Sequence, residues 1–344
     1  MSNASRQTIY LHIGFHKTGS SAIQSSFNGY ADTAFCYAKL GYENHSIPIY
    51  TIFSGHHQSY HIWKSAGMTA PEIEAHRDKL AATTIQFFRQ EQRRDVILSG
   101  EDISVMSQEA LQHLHAVLNQ NTPRIVVIAY VRDPVSFISS ELQERIKYGG
   151  MGHAPVPPGY RAKLERVFHV FGREATIIRD YHRSTLKNGD IVEDFADLIG
   201  CPVPRRPRDE NLSLSTEAVR VIYHLNTLET TIADPRALTQ TRARCIAHLR
   251  ALFPGRFELP RDLISGLVDA ADVSWLYENT RIEYRSDEEE HAPVFSPEAL
   301  DLFLSEVEPR TIEQIRDYLG STVGISDLPR DLKALISRYF MSFA

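Results

Sequence analysis

Residues 14 to 21, GFHKTGSS, gather two glycines, a lysine, a threonine and two serines in a short stretch. Such a set suits the binding of an oxyanion. Gly14 and Gly19 permit a tight turn, Lys17 brings a positive charge, and Thr18, Ser20 and Ser21 bring hydroxyl donors. A turn that runs into a helix also exposes unpaired backbone N–H groups at the positive end of the helix dipole, which favours phosphate or sulfate. The spacing is not that of the triphosphate loop GxxxxGK[ST], because Lys17 precedes the second glycine instead of following it. The plainer alternative is a glycine turn capped by Thr18 or Ser20.

A second stretch, YVRDPVSFISSEL at 130 to 142, has related chemistry. Arg132 leaves the end of an apolar run and Ser140 lies two turns into the helix that follows, so both are placed to converge on one phosphate. Asp133 and Pro134 also read as a helix start, with Asp133 as the cap and Pro134 at the first helical position, and the two readings are compatible. Residues 124 to 187 hold 11 Lys/Arg against six Asp/Glu inside an acidic chain, which agrees with a bound polyanion nearby.

Taken together, the two stretches resemble the donor-binding signatures of sulfotransferases that use 3′-phosphoadenosine 5′-phosphosulfate (PAPS). That family carries PKTGTT or PKSGTT after a hydrophobic strand and before a helix; here HKTGSS stands in its place, with His16 where the family has proline. The family's second signature is a strand ending in Arg, then Asp/Asn-Pro, then a helix with Ser eight residues after the Arg. In this chain those residues are Arg132 and Ser140. The resemblance implies a P-loop nucleoside triphosphate hydrolase-like fold, PAPS as donor and phosphoadenosine phosphate (PAP) as product, with no metal. It places His16, Lys17, Thr18, Gly19, Ser20 and Ser21 around the 5′-phosphosulfate, and Arg132 and Ser140 on the 3′-phosphate. Fainter echoes in ILSGEDI, YHRSTLKNGDIVEDFADLIG and NLSLSTEAVRVIYHLN, similar to stretches of bacterial sulfotransferases, extend it over residues 8 to 230.

Sulfuryl transfer needs charge on the leaving oxygen and a base for the acceptor. Lys17 is the candidate for the first task. For the second, Glu101 follows the apolar run VILSG, with Asp102 beside it as a rival and surface acid or helix cap as the alternative role. His57 is the second candidate, from SGHHQSYHIW at 54 to 63, where His56 also suits an acceptor cleft. His57 and His61 have helical i, i+4 spacing, but no third ligand follows at a recognised spacing for zinc. Arg205, Arg206 and Arg208 form a late basic loop that does not reproduce the family's RKG pattern, so solvated loop arginines are the default there.

These residues need a frame. Apolar runs at 8 to 14, 95 to 100, 124 to 131 and 175 to 180 read as parallel strands, with helical patterns between them at 109 to 120 and 134 to 149. The expected fold is a three-layer α/β sandwich around a parallel sheet, whose ligands gather beyond the carboxyl ends of the strands. Residues 7–211 form this α/β core in that reading. From 212 to 344 the pattern turns helical, with STEAVRVIYHLNTL, TRARCIAHLRALF, SPEALDLFLSEVE and RDLKALISRYF, and reads as an annex contributing to the acceptor cleft. GGMGHAPVPPG at 149 to 159 reads as a surface loop, and SDEEEH at 286 to 291 as a solvated connection.

Composition narrows the partners. The chain has 344 residues, 42% of them hydrophobic, enough for a sizeable core, and a net charge of −6 from 37 basic and 43 acidic residues. No overall basic field argues for a nucleic-acid polymer or an anionic membrane. No apolar run is long enough to span a bilayer, and MSNASRQ does not read as a signal peptide. Cys36, Cys201 and Cys245 show no zinc or disulfide spacing, and a reducing cytoplasm is expected. The expected acceptor is a small molecule or carbohydrate, with carbohydrate, lipid-linked sugar, small phenol and peptide all open and saccharide hydroxyls favoured by the resemblance to bacterial relatives. Two rivals stand beside this reading: a P-loop-type nucleotide-dependent kinase, which requires Mg²⁺ and a GK[ST] hydroxyl, and a non-catalytic nucleotide-binding relative.

Overall fold

Near-continuous apolar runs form the strands, as expected where both faces of a parallel sheet are covered. They are β1 (Thr8–His12), β2 (Phe35–Tyr37), β3 (Asp95–Ser99), β4 (Arg124–Val131) and β5 (Thr176–Asp180). The computed structural model describes residues 7–122, 124–151, 155–204, 213–228, 232–284 and 294–344. The strands pair in the order β2-β3-β1-β4-β5, and every neighbouring pair is parallel. β1 lies at the centre, with Leu11 beside Leu98 on one side and Val127 on the other. β2 is additional to the four expected strands; at three residues it is too short to show periodicity.

Helices cover both faces. On one, Ile23 and Phe27 of α1 (Ser20–Phe27) pack with Phe195 and Ile199 of helix Ile191–Ile199 against Ile97, Ile128 and Tyr130. On the other, helices Gln108–Asn121 and Tyr160–Phe171 pack on each other and on β4. The result is an α/β fold with a central five-stranded parallel sheet between helical layers.

The chain divides into two compact units. The first comprises residues 1–133, 159–209 and 271–284 and contains the sheet. The second comprises 134–158, 210–270 and 285–344, and its described residues build a helical core from Ile138, Leu142, Ile222, Leu249, Leu304 and Ile336, among others. Helix Pro134–Lys147 thus counts with the helical unit although it follows β4 directly, and helix Ala270–Thr280 counts almost entirely with the sheet. Arg205, Arg206, Arg208, residues 152–154 and SDEEEH lie outside the described residues.

Candidate functional site

β1 ends at His12, and the chain then turns through Gly14 at φ 64°, Lys17 at φ 63° and Gly19 at φ 81° before entering α1. Three left-handed residues in six positions make a tightly wound loop, and left-handed backbone at a lysine is rare and strained. Thr18 is fully buried, and its hydroxyl donates to the Phe15 carbonyl at 2.5 Å, so that hydroxyl braces the loop from inside. Gly19 caps α1 without any side-chain hydrogen bond to the helix start. Its lack of a side chain admits the Tyr181 ring, which comes within 3.0 Å of where a Cβ would stand.

Ser20 opens α1 with a buried hydroxyl that lies near the Glu101 carboxyl and meets no partner in standard hydrogen-bond geometry among the described residues; the residue is 2% exposed. Its place at the start of a helix, beside the helix-terminal backbone N–H groups, suits a hydrogen-bonding ligand. Ser21, next to it, is exposed.

Arg132, just beyond the end of β4, reaches this loop: its Nη1 donates to the Lys17 carbonyl at 2.9 Å, and its guanidinium lies 5.6 Å from the centre of the Tyr181 ring. The Tyr160 hydroxyl in turn donates to the Arg132 carbonyl at 2.5 Å. Arg132 therefore holds the strained backbone in place. Ser140 is half-buried in helix Pro134–Lys147, within the second unit.

Glu101 comes to the same loop from β3. Gly100 donates its N–H to the His12 carbonyl at 2.9 Å, and a Cβ on Gly100 would meet the Ser46 nitrogen at 2.4 Å, so only glycine fits there. The chain then forms a short turn over Glu101–Val105, in which Ser104 Oγ donates to the Glu101 carbonyl at 2.7 Å. A Cβ on Gly14 would meet the Glu101 Cβ at 2.7 Å. Burial pushes the Glu101 carboxyl above its ordinary value and Asp102 adds to the rise, while His16, Lys17 and the Ser20 hydroxyl oppose it.

Asp102 is spoken for. One carboxylate oxygen meets His16 Nε2 at 2.8 Å, and the other accepts from the Tyr60 hydroxyl at 2.5 Å. Burial alone raises its pKa, but these bonds from His16 and Tyr60 outweigh it and hold the carboxyl below its ordinary range. Sequence reasoning paired neither His16 with Asp102 nor Tyr181 with Gly19. The signal for the former was the histidine next to Lys17 in the loop.

His57 is placed differently. Its Nδ1 bonds the Ser54 carbonyl at 2.9 Å and its Nε2 bonds the Glu74 carboxylate at 2.7 Å. Both ring nitrogens thus face acceptors within the protein, and the residue ties two helical segments together. His56 and His61 are exposed. The first unit thus brings together His16, Lys17, Thr18, Gly19, Ser20, Ser21, Glu101 and Arg132 at the carboxyl ends of β1, β3 and β4, where ligands of open α/β sheets bind.

No family model and no curated protein matches the chain. Among solved structures it is similar to the crystal structure of a sulfotransferase from Alicyclobacillus acidocaldarius, with 16% identity over 72% of this chain and 96% of that one, at a TM-score of 0.34.

Proposed function

We propose that the chain is a sulfotransferase that takes a sulfuryl group from PAPS and passes it to a hydroxyl or amine of a small acceptor, a saccharide or glycoconjugate. The observation that carries the reading is the tightly wound loop after β1, left-handed at Gly14, Lys17 and Gly19, which runs straight into α1 and whose lysine precedes the second glycine. That loop offers an oxyanion a charge, a hydroxyl and helix-terminal N–H groups in one small volume. Its lysine position departs from what a triphosphate with Mg²⁺ requires, which sets the kinase reading second.

When bound, the phosphosulfate supplies an activated sulfuryl group, and negative charge grows on the leaving phosphate oxygen during transfer. Lys17 and the first N–H groups of α1 stabilise that charge. Arg132 keeps the loop backbone in shape through the Lys17 carbonyl and takes the 3′-phosphate. Glu101, packed on Gly14 beside Lys17, is the carboxylate that orients the acceptor hydroxyl. His57 has no part in this chemistry.

Transfer of label from ³⁵S-PAPS to a panel of phenols, monosaccharides and oligosaccharides tests the reading. Lys17→Ala is expected to lower transfer by about 100-fold or more, as removal of a transition-state charge partner does elsewhere. Full transfer in that variant, or a wild-type protein that binds neither PAPS nor PAP, would overturn it.

A further inference from the structure

His16 stands inside the anion loop, yet its ring is held by a carboxylate. Asp102 Oδ1 meets Nε2 at 2.8 Å, Tyr60 donates to Oδ2 at 2.5 Å, and the Asp102 backbone N–H donates to Ser46 Oγ at 3.0 Å. Tyr60 is buried and stacked on Tyr50 with ring centres 4.4 Å apart. Asp102 is thus fixed at three points, and its side chain is only 12% exposed. A carboxylate only accepts, so Nε2 of a neutral His16 carries the hydrogen and the lone pair lies on Nδ1. Among the described residues Nδ1 has no partner, and the His16 side chain is 35% exposed. A carboxylate that fixes one ring nitrogen of a histidine while the other faces outward is the arrangement that orients a general base.

We propose that His16 takes the proton of the acceptor hydroxyl through Nδ1, with Asp102 as its positioning residue and Tyr60 fixing Asp102. This rests on the sulfotransferase reading. As the acceptor oxygen bonds to sulfur, its proton passes to Nδ1, and the bond from sulfur to the bridging phosphate oxygen breaks with its electron pair left on the phosphate. The resulting imidazolium is balanced by Asp102 on one side and by Glu101 nearby, while Lys17 in the same loop stays with the leaving phosphate and His61 also lies near Asp102. Glu101 then orients the acceptor and His16 moves its proton, a division between two groups that the sequence left to Glu101 or His57.

The test combines ¹⁵N-histidine NMR with calorimetric titration of PAP and turnover on whichever acceptor of the panel reacts fastest. The wild type is expected to show His16 as the Nε2–H tautomer, with Asp102→Asn and the milder Tyr60→Phe each shifting that balance. His16→Ala is expected to lose less PAP affinity than Lys17→Ala and to lose about 100-fold or more in kcat, partly regained with added imidazole. An Nδ1–H tautomer in the wild type, a loss of PAP affinity in His16→Ala as large as in Lys17→Ala, or unchanged turnover overturns the proposal. If no acceptor of the panel reacts, the tautomer and the PAP affinity decide it. A wild type that does not bind PAP marks failure of the donor reading instead.

Discussion

Glu101 packs its Cβ against Gly14 at the edge of the loop after β1, and burial disfavours the charged form of its carboxyl. Its folded pKa is raised above the ordinary 4.5, so the stability it contributes is fully present below that value and lost as pH rises through the folded pKa. At neutral pH a charge is being kept where a neutral group is easier to bury. Glu101→Gln is therefore expected to melt higher than the wild type at pH 7 and to lose that advantage near pH 4, while transfer falls. Thermal denaturation at the two pH values checks it, and a variant less stable at pH 7 would contradict the electrostatic account. In the proposed function the carboxylate at this site therefore runs against stability, as at many active sites.

At the scale of elements, the loop is shaped by residues that no other side chain can replace. Gly14 is left-handed and has no room for a Cβ beside Glu101, so Gly14→Ala combines backbone strain with a clash. A loss of about 1–3 kcal/mol or more in urea unfolding is expected, with PAP affinity falling alongside. His57 makes the contrasting case. His57→Ala removes a buried residue that ties Ser54 to Glu74, and should cost about 1–3 kcal/mol of stability while leaving PAP affinity unchanged. Weakened PAP binding in that variant would return His57 to the site. Much of this was legible in the chain: the strand runs, the loop and the position of Glu101 follow from local pattern. The short β2 carries too few residues for a pattern, and the link between His16 and Asp102 spans 86 positions, so only the pairing of β1 with β3 brings it about. The engagement of His57 with Glu74 was hidden for the same reason, since a histidine's partners decide whether it is a base or a strut.

At the scale of the whole molecule, the sheet unit buries two histidines that must stay neutral. Burial lowers His12 to about 3 and His45 to about 4 from an ordinary 6.5. A depressed histidine pKa contributes stability that is present above the unfolded value and lost as pH falls toward the folded one. Stability should therefore decline between about pH 6.5 and 4, and His45→Gln should flatten that decline; a pH-independent melting temperature across this window would contradict the burial of both rings. The same unit holds the proposed donor loop, so a ligand that binds it stabilises the protein by mass action, by about 2.7 kcal/mol at a hundredfold excess over Kd, and raises the melting temperature accordingly. The most direct measurement is a calorimetric titration of PAP against ATP with Mg²⁺ on wild type and Lys17→Ala. The account predicts that PAP binds the wild type more tightly than Mg-ATP does and that Lys17→Ala loses most of that affinity. Tighter binding of Mg-ATP, or equal PAP binding by the two proteins, would contradict it.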